Sequence, residues 1–188
     1  MNFEISVIVW QAFNFTGQRF LHAWNNTPMG YGLPAAVGAA FAHPDRRIVL
    51  ITGNGGLAVN ITEFATVARH NLNIKVILFD NKAHSMCVQT QRMWLGGETP
   101  STTYEGGLAT PDYAAIAAAY GIPSRSVDTL IDAVGIEGGL THLLYTKGPA
   151  FLELRIDVDH NIKPQVRAGY ALDNADPLLP QEELERII

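Results

Sequence analysis

The chain has 188 residues and a formal net charge of −5, with 47% hydrophobic and only 16% charged residues. That composition fits one well-buried α/β domain and excludes a disordered chain, and the acidic balance without a basic cluster argues against nucleic-acid binding. Its one cysteine, Cys87, excludes an internal disulfide framework, so a reducing, cytoplasmic setting is expected.

Residues 1–24 are the least legible part. Met1 to Ile5 carries no basic n-region, so a signal peptide is not expected, and no apolar run reaches the roughly 18 residues of a membrane span. Ile5 to Trp10 reads as a strand or as the tail of a larger unit. Phe13, Phe15, Phe20 and Trp24 are too apolar for a solvated linker, and they cover a sheet edge or meet a partner chain.

Pro28 to Phe41 opens on turn residues and becomes an alanine-rich helix. Its small residues (Gly32, Ala35, Ala36, Gly38, Ala39, Ala40) allow another backbone to come close. His43-Pro44-Asp45 ends that helix, because the residue before proline is pushed out of the α region. The apolar run 47–52 reads as a buried strand. Gly53-Asn54-Gly55-Gly56 then breaks the chain, and a helix follows from about Asn60 to His70 with Ile61, Phe64, Ala65 and Ala68 inward. Residues 74–79 form a second buried strand ending in Asp80-Asn81, two oxygen-bearing side chains suited to a hard cation such as Mg²⁺. If the two strands are adjacent and parallel, both turns share the carboxyl edge of one sheet, where open α/β folds bind ligands. A glycine-rich turn there lets backbone N–H groups approach a phosphate.

Residues 94–110 form a long glycine- and threonine-rich connection, a lid or a mobile loop. Pro111 opens a helix to Tyr120 packed through Ala114, Ile116, Ala117 and Ala118. A strand at 124–127, a helix from about Thr129 to Tyr145 and a strand at 150–156 follow. The tail 157–188 reads as an arm ending in a short helix at 181–188. The expected fold is therefore a doubly wound, mainly parallel sheet with helices on both faces, a single domain over 1–188 with a lead segment and a C-terminal arm.

Two blocks in order, Gly53-Asn54-Gly55 and Asp80-Asn81, resemble the Gly-Asp-Gly and Asn-Asn motifs of the thiamine diphosphate (TPP) enzymes. Met29 to Ala36, Gln89-Thr90-Gln91 and Gly106-Gly107-Leu108 with Pro111-Asp112-Tyr113 resemble the acetolactate synthase branch. The resemblance implies that the loop from Gly53 to Leu57 cradles the cofactor's diphosphate through its amides, chiefly those of Gly55, Gly56 and Leu57; an ordinary glycine-rich strand-to-helix turn is the alternative. It places the metal on Asn54, Asn81 and the carbonyl of Ala83. Two positions depart from the family pattern: its metal-binding aspartate is Asn54 here, and its first asparagine is Asp80. The first change removes the anionic ligand, and Asp80 compensates if its carboxylate turns inward.

By the same resemblance Met29 props the cofactor into its bent form, and the Thr27 carbonyl accepts from its amino group; core filling explains Met29 equally. His84 and Met86 lie near the diphosphate or substrate, with a surface histidine as the alternative. Gln89, Gln91 and Trp94 lie over the substrate in such enzymes, although a solvated helix face accounts for the glutamines as well. His22, His43, His70, His142 and His160 show no metal spacing. Cys87 reads as a buried hydrophobe rather than a nucleophile.

The implied activity is carboligation or decarboxylation of a 2-oxo acid, a transferase or lyase reaction using TPP and Mg²⁺. The glutamate that activates the cofactor lies in a separate pyrimidine-binding domain in this family. The chain is thus expected to act within a homo-oligomer and with that domain, inactive alone. The alternatives are a small subunit of a 2-oxo acid decarboxylase, as in the split sulfopyruvate decarboxylase, or a non-catalytic module that keeps the fold. No membrane or nucleic-acid partner is expected.

Overall fold

In the computed structural model, residues 16–23, 28–158, 165–166, 169–170, 175–177 and 180–187 are described. The expected strand at 5–10, most of the aromatic lead, Thr27 and His160 lie outside them.

Four parallel strands, β1 (Ile48–Gly53), β2 (Ile74–Asp80), β3 (Ser124–Asp128) and β4 (Ala150–Arg155), form a sheet in the order β1-β2-β4-β3. Ile48 pairs with Ile74 and Gly53 with Phe79, so both apolar runs end together at one carboxyl edge. Strands buried on both faces carry apolar side chains without alternation, which is why these runs were readable as strands. On one face α1 (Gly32–Ala42), α2 (Asn54–Val59), α3 (Phe64–Arg69) and α5 (Tyr113–Ala119) pack over Leu50, Val76, Leu78 and Phe151. On the other, α6 (Ala133–Tyr145) lies on Val127, Leu152 and Leu154, with Ile77 and Phe79 partly covered. The doubly wound α/β expectation holds. Beyond the reach of α6, Val49 on the edge strand β1 stays 46% exposed.

Several boundaries differ from the sequence reading. The glycine turn is already helical: α2 starts at Asn54, and a single 3-10 turn, Ile61–Glu63, separates it from α3. Ala65 and Ala118, expected inward, are exposed. Pro111 lies before α5, which is capped instead by the Asp112 carboxylate accepting from the Ala115 amide at 2.8 Å. Asp132 caps α6 in the same way, so that helix begins at Ala133 rather than near Thr129. The tail adds an unforeseen antiparallel ribbon, Gln165–Val166 against Ala175–Asp176, before its helix α7 (Gln181–Ile187).

Lys75, buried on β2, shows how little polar material the core accepts unpaired. Its ammonium donates to the carbonyls of Thr146 (2.6 Å) and Gly148, closing the C-terminal end of α6. Burial, and then the charge of Arg47, holds its pKa below the usual lysine range.

Candidate active site

The carboxyl ends of β1 and β2 set the site. Gly53, in extended conformation, is the N-cap of α2, and Asn54, Gly55 and Gly56 form the first helical turn, all buried. Leu57 follows with its side chain in the core, 1% exposed. In a helix that starts at Asn54, the first-turn amides lack intrahelical partners; that of Gly55 donates to the Asn54 side chain, which leaves that of Gly56 facing outward from the turn.

Gly55 has no Cβ, and the space a Cβ would take is lined from two other segments. Such an atom would lie 2.8 Å from Met29 Cε and 3.3 Å from His84 Nε2. Met29, half-exposed, is held there by its own loop. The Gly30 carbonyl accepts from Asn60 Nδ2 at 2.8 Å, and Gly30 adopts a left-handed φ of 88°, where a Cβ would strike Val59 and Asn60. His84 is fixed from the far side, its amide donating to the Thr102 carbonyl at 2.9 Å. Three expected site residues from three separate segments therefore meet over one turn. Met86 lies half-buried on the first turn of α4 (Ser85–Trp94), two residues beyond His84.

Beneath this turn lies a polar cluster. Asn54 is buried, with Oδ1 accepting from the Gly55 amide at 2.8 Å and Nδ2 donating to Asp80 Oδ1 at 2.9 Å. Asp80 Oδ1 also accepts from the Lys82 amide at 3.0 Å, and Oδ2 pairs with the Lys82 ammonium. Asn81 is buried too: Oδ1 accepts from the Ala83 amide at 3.2 Å, and Nδ2 donates to Ser85 Oγ. Asp80 has turned inward, as the alternative reading required, yet its second oxygen already faces a cation of the chain itself.

Donor type suits a hard metal: amide oxygens of Asn54 and Asn81 and a nearby carbonyl at Ala83. Donor charge does not. Neither amide is ionised, both amide oxygens are occupied by neighbouring N–H groups, and the Asp80 carboxylate is paired with Lys82. The diphosphate requirement is met better, since the missing Cβ at Gly55 leaves a cradle beside the Gly56 amide of the first helical turn.

Two residues of this cluster carried no role in the sequence reading. Tyr113 on α5 is buried and donates its hydroxyl to the Asn54 carbonyl at 3.2 Å. Burial, with the charges of Asp80 and Glu153, pushes its phenol up to about 12. Glu153 on β4 is fully buried, with its Oε2 3.5 Å from the Arg155 guanidinium. Burial raises its pKa above the usual glutamate range, and the nearby Asp80 adds to the effect. Tyr113 had a signal, as part of the Pro-Asp-Tyr block. Glu153 had only its charge inside an apolar strand.

The long connection is neither open nor featureless. Its Thr102 hydroxyl donates to Gln91 Oε1 at 2.6 Å, Ser101 donates its amide to the Gly106 carbonyl at 2.7 Å, and Thr102 and Thr103 are buried. It is tied to α4 and, through His84, to the site. Gln89 is buried rather than solvated, whereas Cys87, expected inside, is exposed. A helix buries one stripe, and Val88 and Gln89 occupy it here.

Residues 4–154 match the family model described as "Thiamine pyrophosphate enzyme, C-terminal TPP binding domain". The chain is 34% identical over 143 residues to the acetolactate synthase isozyme 1 large subunit of Escherichia coli, covering 76% of this chain and 24% of that protein. It is 30% identical over 183 residues to a probable acetolactate synthase large subunit of Methanococcus aeolicus, covering 96% and 29%. Among solved structures, a thiamine diphosphate-dependent 4-hydroxybenzoylformate decarboxylase of Rhodococcus jostii superposes with a TM-score of 0.62 at 26% identity, covering 71% of this chain and 24% of that one. The chain thus spans roughly a quarter of the length of these relatives. Among the described residues no helix is long and apolar enough to cross a membrane.

Proposed function

The chain belongs to the thiamine pyrophosphate enzymes, as their C-terminal TPP binding domain of acetolactate synthase type, and from that premise we propose that it binds TPP for a reaction of 2-oxo acids. The observation that carries the proposal is the meeting of Met29, Gly55 and His84 over the first turn of α2.

In this reading the Gly56 amide, joined by that of Gly55 when Asn54 Oδ1 releases it, receives the diphosphate, and Gly53 allows the turn that presents them. Met29 supplies an apolar surface against which the cofactor rests, and His84 places an imidazole beside the diphosphate end. Thr27 and Met86 complete the set. Tyr113 holds the main chain at Asn54 from below and so keeps the turn in register. A divalent ion, Mg²⁺ by chemistry, is assigned to Asn54, Asn81 and the Ala83 carbonyl, and is held weakly because no free carboxylate faces it. When bound, TPP supplies the electron sink that carbanion chemistry next to a carbonyl requires.

Carboligation of a 2-oxo acid is the favoured chemistry, because the acetolactate synthases match over most of the chain. Decarboxylation without ligation is the second reading, supported by the likeness to the 4-hydroxybenzoylformate decarboxylase. Either needs a pyrimidine-binding domain to complete the site. Calorimetric titration with TPP, with and without Mg²⁺, tests the binding. Saturable heat that disappears in Gly55→Ala supports it, and no binding under either condition refutes it. The chain alone should release no CO₂ from pyruvate, while addition of a pyrimidine-binding domain and product analysis would separate ligase from decarboxylase.

A further inference from the structure

The metal position of this site departs from its relatives' pattern in charge, and the structure shows where the charge went. The carboxylate absent at position 54 stands across the strand gap at Asp80, its Oδ1 2.9 Å from Asn54 Nδ2. Asp80 is buried, and such a charge needs a partner. The partner is Lys82, held at both ends: its amide donates to Oδ1 at 3.0 Å and its ammonium pairs with Oδ2. To make both contacts Lys82 adopts a left-handed φ of 57°, unusual for a residue with a Cβ. Its side chain remains 43% exposed, so Lys82 reaches from solvent to the buried carboxylate at the strand end.

We propose that the Lys82 ammonium is a built-in counter-ion for a diphosphate ester at this site, taking over most of the work that a divalent cation performs in the relatives. This rests on the diphosphate reading of the 53–56 turn. The four polar side chains at the edge, Asn54, Asp80, Asn81 and Lys82, sum to zero formal charge. A dication entering there finds two neutral amides and must displace an ammonium to reach the carboxylate. A diphosphate finds the opposite: the Gly56 amide at the helix start, and an ammonium, a point charge well suited to phosphate oxygens. Its position is set by Asp80, which holds both the Lys82 amide and the ammonium.

The test uses the chain with three variants, Lys82→Gln, Lys82→Arg and Asp80→Asn, and two measurements. First, Mn²⁺ alone is titrated with spin resonance as the readout, without any diphosphate. The inference expects weak binding by the wild type, about tenfold tighter binding by Lys82→Gln, whose Asp80 carboxylate is released to the ion, and no tightening in Lys82→Arg. Second, TPP is titrated by calorimetry in EDTA and in Mg²⁺. The wild type is expected to lose no more than about threefold in EDTA. Lys82→Gln should lose about tenfold or more in EDTA and recover in Mg²⁺, while Lys82→Arg follows the wild type. Asp80→Asn, which frees the ammonium from its anchor, should bind Mn²⁺ no better than the wild type.

Wild-type TPP binding that vanishes in EDTA, or Mn²⁺ affinity unchanged by Lys82→Gln, overturns the inference. Failure of every protein to bind TPP in either buffer overturns the diphosphate reading and this proposal with it. The Mn²⁺ measurement identifies that failure separately, because the expected tightening in Lys82→Gln involves no diphosphate. Circular dichroism of the variants checks that the fold is retained, and Lys82→Arg keeps the charge question open to measurement if Lys82→Gln is unstable.

Discussion

Asn54→Asp creates the Gly-Asp-Gly motif that this turn resembles, and the structure predicts that it destabilises the metal-free protein. Asn54 Nδ2 lies 2.9 Å from Asp80 Oδ1, and both side chains are buried. Two full negative charges about 3 Å apart repel by roughly 5 kcal/mol at an effective dielectric constant near 20. The pair escapes part of this by keeping one proton. At pH 7 that costs about 4 kcal/mol, at about 1.36 kcal/mol per pH unit above an ordinary aspartate value near 3.9. The shared proton preserves a hydrogen bond between the two carboxyls, and the Lys82 ammonium offsets part of the repulsion, so the net loss is about 1–3 kcal/mol. The sign with pH follows from linkage. The folded variant binds a proton that the unfolded chain releases, so its deficit is absent below about pH 4 and grows as pH rises toward 7. Urea denaturation of wild type and variant at pH 4.5 and 7.5 measures this. Asn54→Asp/Asp80→Asn, which exchanges carboxylate and amide, should return to within about 1 kcal/mol of wild type. A single variant as stable as wild type at pH 7.5, or a double variant as unstable as the single, would falsify the cluster geometry described above.

Gly55→Ala should leave folding nearly unchanged, within about 1 kcal/mol, because the atom its Cβ meets at 2.8 Å is the free end of the half-exposed Met29. TPP binding should nevertheless fall about tenfold or more, and equal affinity in variant and wild type would remove the cradle from the argument. Glu153→Gln should gain stability relative to wild type as pH rises. The raised carboxyl contributes its stability fully at acid pH and loses it as pH climbs through the folded-state value; a difference independent of pH in thermal melts counts against that. The chain should self-associate through surface that includes the exposed Val49 on the edge strand. Light scattering at tens of micromolar, by order of magnitude, should show a multimer that Val49→Asp weakens, and a monodisperse monomer rejects the idea.

The residues by themselves determined the sheet and the site's address. Residues 74–80 are largely apolar without alternation because β2 is covered on both faces, residues 48–53 form the neighbouring edge strand with one face in the core and the other partly covered, and a glycine turn after one with Asp80-Asn81 after the other marks the carboxyl edge. Met29, Gly55 and His84 were legible as candidates from motif position. Their convergence was not, since it depends on the Gly30 carbonyl held by Asn60 and on Thr102 holding His84. The start of α2 at Asn54 was missed because glycine propensity argues for a loop, while the tertiary structure holds the turn helical with Tyr113 bonded to its main chain. Cys87 came out exposed because which stripe α4 buries is chosen by its docking partners. Only the folded chain decided the electrostatics. Whether Asp80 faces a metal, a neighbouring amide or Lys82 depends on angstrom-scale distances between strand ends, and the sum of charges around a buried carboxylate is a property of those distances rather than of the order of residues.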